Sequence, residues 1–492
     1  MPTRPSTRSN RVPNPPDPSS VPRVTPRAAG KPAARLVVRM AEQTPATRDR
    51  YVDFLRAVAI LAVVGGHWTI ATIQRTPHGI AIGNVLSHQS GLRPLTWVFQ
   101  VMGVFFVVGG FSTRRTIEGA VQFDAGAFFA SRVERLLRPT LVFVAVWISA
   151  VVVLRSAGVD ARLTHAIARI AAQPLWFLAV YLVVTLIAPA QLVLHRRIPA
   201  LLVVLLPIAT IGADVLRFNR LAPGVAVLNY LFVFAFAQEL GFHLSSGWDR
   251  VKRPGALLVA LAAAGVLLAL VIFGPYPVSM VGLPGAQVSN MSPPTICILL
   301  LTVMQTAIFT VLRPAGQRWL GRRRPWIATV AANAGIMTIF LWHLSAAAVM
   351  GALLYAGDVL PAPGSRDWWL LKIPWFAGCL LLLAGLVLAF VAVERLPAWT
   401  GAQRGRAGLR AVGVVLAVRG FAGFALTGFD HPFTAGGSAF LGTKLSPFVD
   451  ALLLLAGYLC ACGIPARRSP RATTTAGKPA SALKTAVRGG RR

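Results

Sequence analysis

Residues 50–67 read Arg50-Tyr-Val-Asp53-Phe-Leu-Arg56-Ala-Val-Ala-Ile-Leu-Ala-Val-Val-Gly-Gly-His67, a stretch that opens charged, turns apolar and closes on a histidine. From Phe54 to residue 73 the apolar run has about the 20 residues that cross roughly 30 Å of hydrocarbon as a helix. Lipid offers the backbone no partners, so a run of this kind crosses it with every amide bonded inside the segment. Outward from this stretch, eleven further apolar segments follow, at 94–112, 139–155, 174–194, 198–216, 225–243, 255–274, 293–313, 333–355, 373–394, 408–428 and 445–464. Over 492 residues the chain is 55% hydrophobic and 13% charged; soluble chains are about one quarter charged. The expected fold class is all-α, a polytopic transmembrane helix bundle.

The net charge of +33 and pI near 11.8 raise the question of nucleic acid. The basic residues, however, crowd the tails and the short loops between apolar runs, which is a pattern of membrane orientation and excludes a DNA-reading face. With the N-terminus in the cytoplasm, inner loops carry about twice the basic residues of outer loops, so both termini are expected inside. Pro, Ser and Arg clusters predict disordered basic cytoplasmic tails at 1–50 and 465–492, and the N-terminal one is too long and polar for a signal peptide. Arg419 falls mid-segment in 408–428, where a charge costs at least about 2.5 kcal/mol. That segment either turns Arg419 toward a polar interior or does not span.

Ionisable groups at membrane depth are the functional candidates. Arg56 and His67 are eleven residues apart, which at 100° per residue returns to within roughly 20° of one face. They are separated by roughly 16 Å along the axis, placing Arg56 at the cytoplasmic edge and His67 mid-membrane, both expected on one shaft. Asp53 can cap the helix or pair with Arg56. The arrangement suits a long donor such as coenzyme A, its phosphates gripped by arginine and its thioester carried into the bundle. His67 would then be a general base toward a hydroxyl, or an acyl carrier. The plainer reading is an interhelical hydrogen bond at His67 and a snorkelling Arg56.

This first span resembles the hallmark of the integral-membrane acyltransferase-3 family, an Arg, ten residues and a His. Phe105-Phe-Val-Val-Gly109-Gly-Phe111 resembles the family's second-helix motif, and Arg132-Val-Glu-Arg135-Leu-Leu-Arg138-Pro139 its basic stretch before the third helix. Pro174-Leu-Trp176-Phe177-Leu178 and Phe340-Leu-Trp342-His343 resemble its Trp-Phe-Leu and late aromatic-His segments. The likeness covers roughly 50–396. It implies a ten-helix acyltransferase core at 51–396, an acyl-CoA donor (acetyl-CoA foremost) that is not permanently bound, and essential roles for Arg56 and His67. It also implies O-acylation of a carbohydrate, glycolipid or small-molecule acceptor at the bacterial plasma membrane. Gly109 departs from the family's usual Ser, which removes that hydroxyl. The segments within 397–464 lie beyond the usual core.

Arg132, Arg135 and Arg138 are read as a cytoplasmic loop that contacts donor phosphates or, equally, lipid headgroups. His343 could line the acceptor cavity or simply pack. Trp176 is weighed as an interfacial anchor against a substrate platform. Asp214 and Glu239 near helix ends receive no role. His78 and His88 lack ligand-like company, and Cys297, Cys379, Cys460 and Cys462 sit in apolar runs, so no metal is expected. The rival reading is a twelve-helix transporter, which has no use for an Arg–His pair in this register.

Overall fold

A computed structural model describes residues 32–45, 47–77, 79–396, 407–434 and 445–463. Helix α1 (Pro32–Glu42) precedes α2 (Arg50–Ile70), which runs into a hairpin of β1 (Ala71–Thr76) and β2 (Gly79–Asn84). After the single turn α3 (Thr96–Phe99), α4 (Met102–Glu118) returns, and α5 (Ala125–Ser156) crosses again. The amphipathic α6 (Ala161–Ala172) lies at the hairpin end and feeds α7 (Leu175–Arg197). Then come α8 (Leu201–Phe218), α9 (Asn229–Gly247), α10 (Arg253–Phe273) and α11 (Ile296–Leu320). The short α12 (Arg323–Asn333) turns the chain into α13 (Ile336–Ala356), followed by α14 (Arg366–Arg395), α15 (Ala407–Thr427) and α16 (Pro447–Cys462).

The long helices alternate in direction between two ends, one rich in arginine and one carrying the hairpin. Among the described residues, eleven of them have the length and apolar composition to cross a membrane, so the chain is an all-α polytopic bundle. The twelfth expected segment is the 16-residue α16, shorter than a span. Two small-residue contacts set close approaches. Gly110 of α4 and Gly241 of α9 face one another, and a Cβ on Gly110 would overlap the Gln238 carbonyl. Gly413 and Gly457 do the same for α15 and α16. Backbones that touch in this way gain packing that bulkier side chains would forbid.

Local chemistry explains several boundaries that sequence reading misplaced. Asp49, rather than Asp53, caps α2, its carboxylate accepting from the Tyr51 and Val52 amides. The helix ends at Ile70 instead of 73, because Ile73, Ile80 and Ile82 alternate along the paired strands β1 and β2. Arg132, Arg135 and Arg138 lie on α5, which begins at Ala125, and so form a helical stripe and not a loop. The N-terminal tail is helical from Pro32, where α1 packs on α12 and Trp326 Nε1 donates to Ala41 O at 3.1 Å. The rest of the tail expectations, at 1–31 and 464–492, with 397–406, 435–444 and His78, lie outside the described residues.

Arg419 faces inward. Its Nη1 lies 3.1 Å from Asp450 of α16, which is buried. An ion pair of this kind offsets the cost of a charge at membrane depth. The last two helices are also built into the core: Phe429 stacks on Trp147 at 6.0 Å, and Phe143 packs against both Phe429 and Trp342. On the hairpin side, Asp430 accepts from Arg155, and His165 Nδ1 lies 2.7 Å from its other oxygen. Burial alone would raise the Asp430 carboxyl, but these two partners outweigh it and hold the group below the usual carboxylate range.

Candidate active site

The arginine end of α2 holds the first half of the site. Asp53 is buried and accepts from Arg56 Nη1 at 3.0 Å and from Arg48 Nε at 2.5 Å. The hydrogen bond to Asp53 holds the Arg48 guanidinium above its ordinary range. Arg56 Nη2 donates to Ser112 Oγ at 2.8 Å. Ser112 lies three residues after Gly109, so the hydroxyl missing from the motif is supplied about one turn further along the same helix. With both carboxylate oxygens engaged, Asp53 positions the guanidinium of Arg56 and presents little to a substrate.

Arg56 lines a cavity of about 320 Å³ together with Ser112, Arg132, Arg135, Tyr181 and Phe177. An adjoining cavity of about 560 Å³ shares Arg48, Asp53, Arg132 and Arg135 and adds Arg138. Arg138 pairs with Glu134 and donates to Leu396 O at 3.0 Å. The predicted arginines thus converge on one basic basin at this end. Arginine forks of this density match phosphate geometry.

Toward the hairpin end, α2 carries His67 beside His343 of α13. Their rings are nearly parallel, at 8°, with His67 Nδ1 2.9 Å from His343 Nε2. His343 is fully buried, and its Nδ1 lies 2.6 Å from Phe340 O. A carbonyl only accepts, so His343 Nδ1 carries the proton. In the neutral pair His343 Nε2 then accepts from His67 Nδ1–H, which leaves the lone pair of His67 on Nε2. His343, weighed at first as a packing residue or a cavity liner, therefore fixes the tautomer of His67.

Two indoles and a lysine brace this pair. Trp68 Nε1 donates to His343 O at 3.0 Å. The Trp68 carbonyl in turn accepts from Trp375 Nε1 and Lys372 Nζ of α14, each at 3.0 Å, and Lys372 also caps Ala71 O at 2.9 Å. At the other end of α13, Glu394 of α14 accepts from the Thr338 amide at 3.1 Å and its hydroxyl at 2.9 Å. None of these partners is near in sequence, and no local motif announces them.

His67 lines two chambers at the hairpin end, of about 290 and 560 Å³. Trp176 stands in the wall they share. Arg56 lines neither, so the single shaft expected from helix geometry is divided. The partition is aromatic: Phe177 borders both the Arg56 cavity and the smaller chamber, with Phe105 and Phe340 each 5.2 Å and Tyr181 5.9 Å from it. The 3.6-residue period places Arg56 and His67 on one face but says nothing of what rings from other helices insert between them.

One further cluster escaped sequence reading. His195 Nδ1 lies 2.5 Å from Glu239 Oε1, with His243 Nε2 3.5 Å from the same oxygen, a grouping that could hold a metal ion. Arg114 Nη1 sits 2.9 Å from His195 Nε2, and an arginine only donates. His195 Nδ1 is therefore the protonated nitrogen facing Glu239, and the donor set reads as a closed charge network. Asp214 is likewise satisfied, accepting from Asn229, Tyr276 and the Ile296 amide. The four cysteines are free.

A family model described as an acyltransferase domain matches residues 49–394, which takes in both halves of this site. No curated protein and no solved structure matches the chain.

Proposed function

Because the chain belongs to this acyltransferase family and is a multi-pass membrane acyltransferase, we propose that it carries an acyl group, acetyl foremost, from cytoplasmic acyl-CoA to a hydroxyl on an extracytoplasmic carbohydrate, glycolipid or small molecule. In this reading the arginine end faces the cytoplasm of a bacterial inner membrane, with both termini on that side. The observation that carries it is the pairing of a basic basin with a histidine of fixed tautomer across one aromatic wall.

The donor's phosphates lie among Arg132, Arg135 and Arg138, with Arg56, held by Asp53 and Ser112, at the basin's inner edge. The pantetheine arm threads past Phe177 toward His67. There the lone pair on His67 Nε2 takes the proton of the acceptor hydroxyl as its oxygen attacks the thioester carbonyl. A C–O bond forms, the C–S bond breaks, and the proton passes from Nε2 to the departing thiolate. His343 holds the developing imidazolium through Nδ1, and its own Nδ1–H rests on Phe340 O. Attack by His67 itself, giving an acyl-imidazole, has the same lone pair as its nucleophile.

The deciding experiment uses vesicles that contain the intact chain. Label from radiolabelled acetyl-CoA is expected in an envelope glycan or lipid fraction, and His67→Ala is expected to lower it by about a hundredfold or more with membrane insertion unchanged. Undiminished transfer by that variant would remove the proposed base.

A further inference from the structure

The two chambers that meet at His67 differ in what lies behind them. The smaller one adjoins the donor's basin through Phe177, whereas Phe177 does not line the larger. The larger chamber thus lies on the side of His67 away from the donor's entry. Its wall is aliphatic: Ile73, Ile80 and Ile82 of the hairpin, Ile167 of α6, and Leu344 and Ala348 of α13. Apart from Arg169 and the indole of Trp375, its polar side chains lie at the boundary with the smaller chamber, where His67, Asn84, Gln173 and Trp176 border both. The one cation in its lining, Arg169, already donates to Leu426 O at 3.0 Å.

A sugar buried against the aliphatic part of this wall would leave hydroxyls there without partners, at a cost of about 1–3 kcal/mol each. A hydrocarbon chain loses nothing there and gains burial. At about 560 Å³ the chamber falls in the size range of ligand pockets. At interior packing density it has room for a chain on the order of ten carbons.

We infer that the acceptor is an amphiphile whose reactive hydroxyl sits at His67 and whose linear alkyl chain fills the hairpin-covered chamber. The inference rests on the acyl-transfer reading for the role of the ligand, but the binding it requires is measurable without any chemistry.

The test places the full-length protein in nanodiscs with a dodecyl β-glucoside that carries a diazirine at the chain end. Photolysis is expected to label peptides 71–84 and 344–352, and Ile80→Trp or Ala348→Phe to reduce that labelling at least tenfold. Labelling of the lipid-facing α10 should be unchanged and serves as the internal control. Alkyl glucosides from butyl to dodecyl should compete with rising potency, roughly fourfold per methylene, until the chamber is full. Labelling no greater in the chamber than on α10, or insensitive to both substitutions, overturns the proposal. Competition by lauroyl-CoA but by no alkyl glucoside also overturns it, because the chain would then belong to the donor. Chamber labelling in a protein that transfers no acyl group would uphold the alkyl site and sink the enzymatic reading of the site instead. Transfer to water-soluble glycans alone, with no chamber labelling, would do the reverse.

Discussion

The two ends of the bundle solve opposite problems with the same helix. At the arginine end, α2 presents Arg56 to a basin where charge is concentrated, with Arg48 and Arg56 on Asp53 and Arg138 on Glu134. Near the hairpin, the same helix presents His67 to chambers that hold almost no charge, and the imidazole is governed by a neutral hydrogen-bond chain. A polyanionic carrier needs the first environment and a proton-abstracting nitrogen the second. Between them Phe177 and its neighbours keep the basin and the chambers apart; on the proposed acyl-transfer reading, water at one end then need not reach a thioester at the other.

The most severe way to probe this contrast is at its two poles. His67→Ala should lower kcat by about 10²- to 10⁴-fold, the usual contribution of a general base, with the donor KM little changed. Arg56→Ala should act through the donor instead, raising its KM by roughly ten- to a hundredfold, as loss of a charge-assisted contact of about 1.5–3 kcal/mol would do. Steady-state kinetics with acetyl-CoA as the varied substrate separates the two, and equal effects on the same constant would erase the division.

Phe177→Ala tests the wall. Release of free CoA without any acceptor should rise several-fold, read by a thiol reagent, because water then reaches the thioester. An unchanged background would mean that the partition lies elsewhere.

Trp68→Phe keeps an aromatic side chain but removes the bond to His343 O together with part of the buried indole. It should lower kcat about fivefold at constant KM, in line with a neutral hydrogen bond of about 1 kcal/mol.

The smallest effect concerns stability alone. Asp430→Asn should lower the melting temperature slightly at pH 7, by no more than a partly exposed pair contributes, about 1 kcal/mol or less. Since the folded state depresses the Asp430 pKa, that contribution is present above the ordinary carboxylate range near 4 and vanishes as pH falls through the lower folded value. The wild-type and variant curves should therefore converge in acid.

Much of the contrast was legible in the chain. Apolar runs fixed the bundle, and the eleven-residue spacing put Arg56 and His67 on one face, because helical period is a local property. The partners that give these residues their chemistry were not legible. His343 is 276 residues from His67, and nothing in the Phe340–His343 segment says which helix it will face. Ser112 was not legible because the motif marks Gly109, although both lie on α4 and a shift of one turn keeps nearly the same face. The hairpin was absorbed into the first span, since a short apolar run reads alike as strand or helix. The stripe of Arg132, Arg135 and Arg138 could have been found: a spacing of three is itself a helical signature.

The seat of Phe429 against Trp147 and Phe143, the latter packed in turn on Trp342, has a bearing on where this protein can be cut. Residues 49–394 are what the family model matches, but the packed unit extends further, because the segment after α15 sets Phe429 against Trp147 and Phe143. A chain shortened after residue 396 would keep the whole stretch that the family model matches and lose the ring that packs on Trp147 and Phe143.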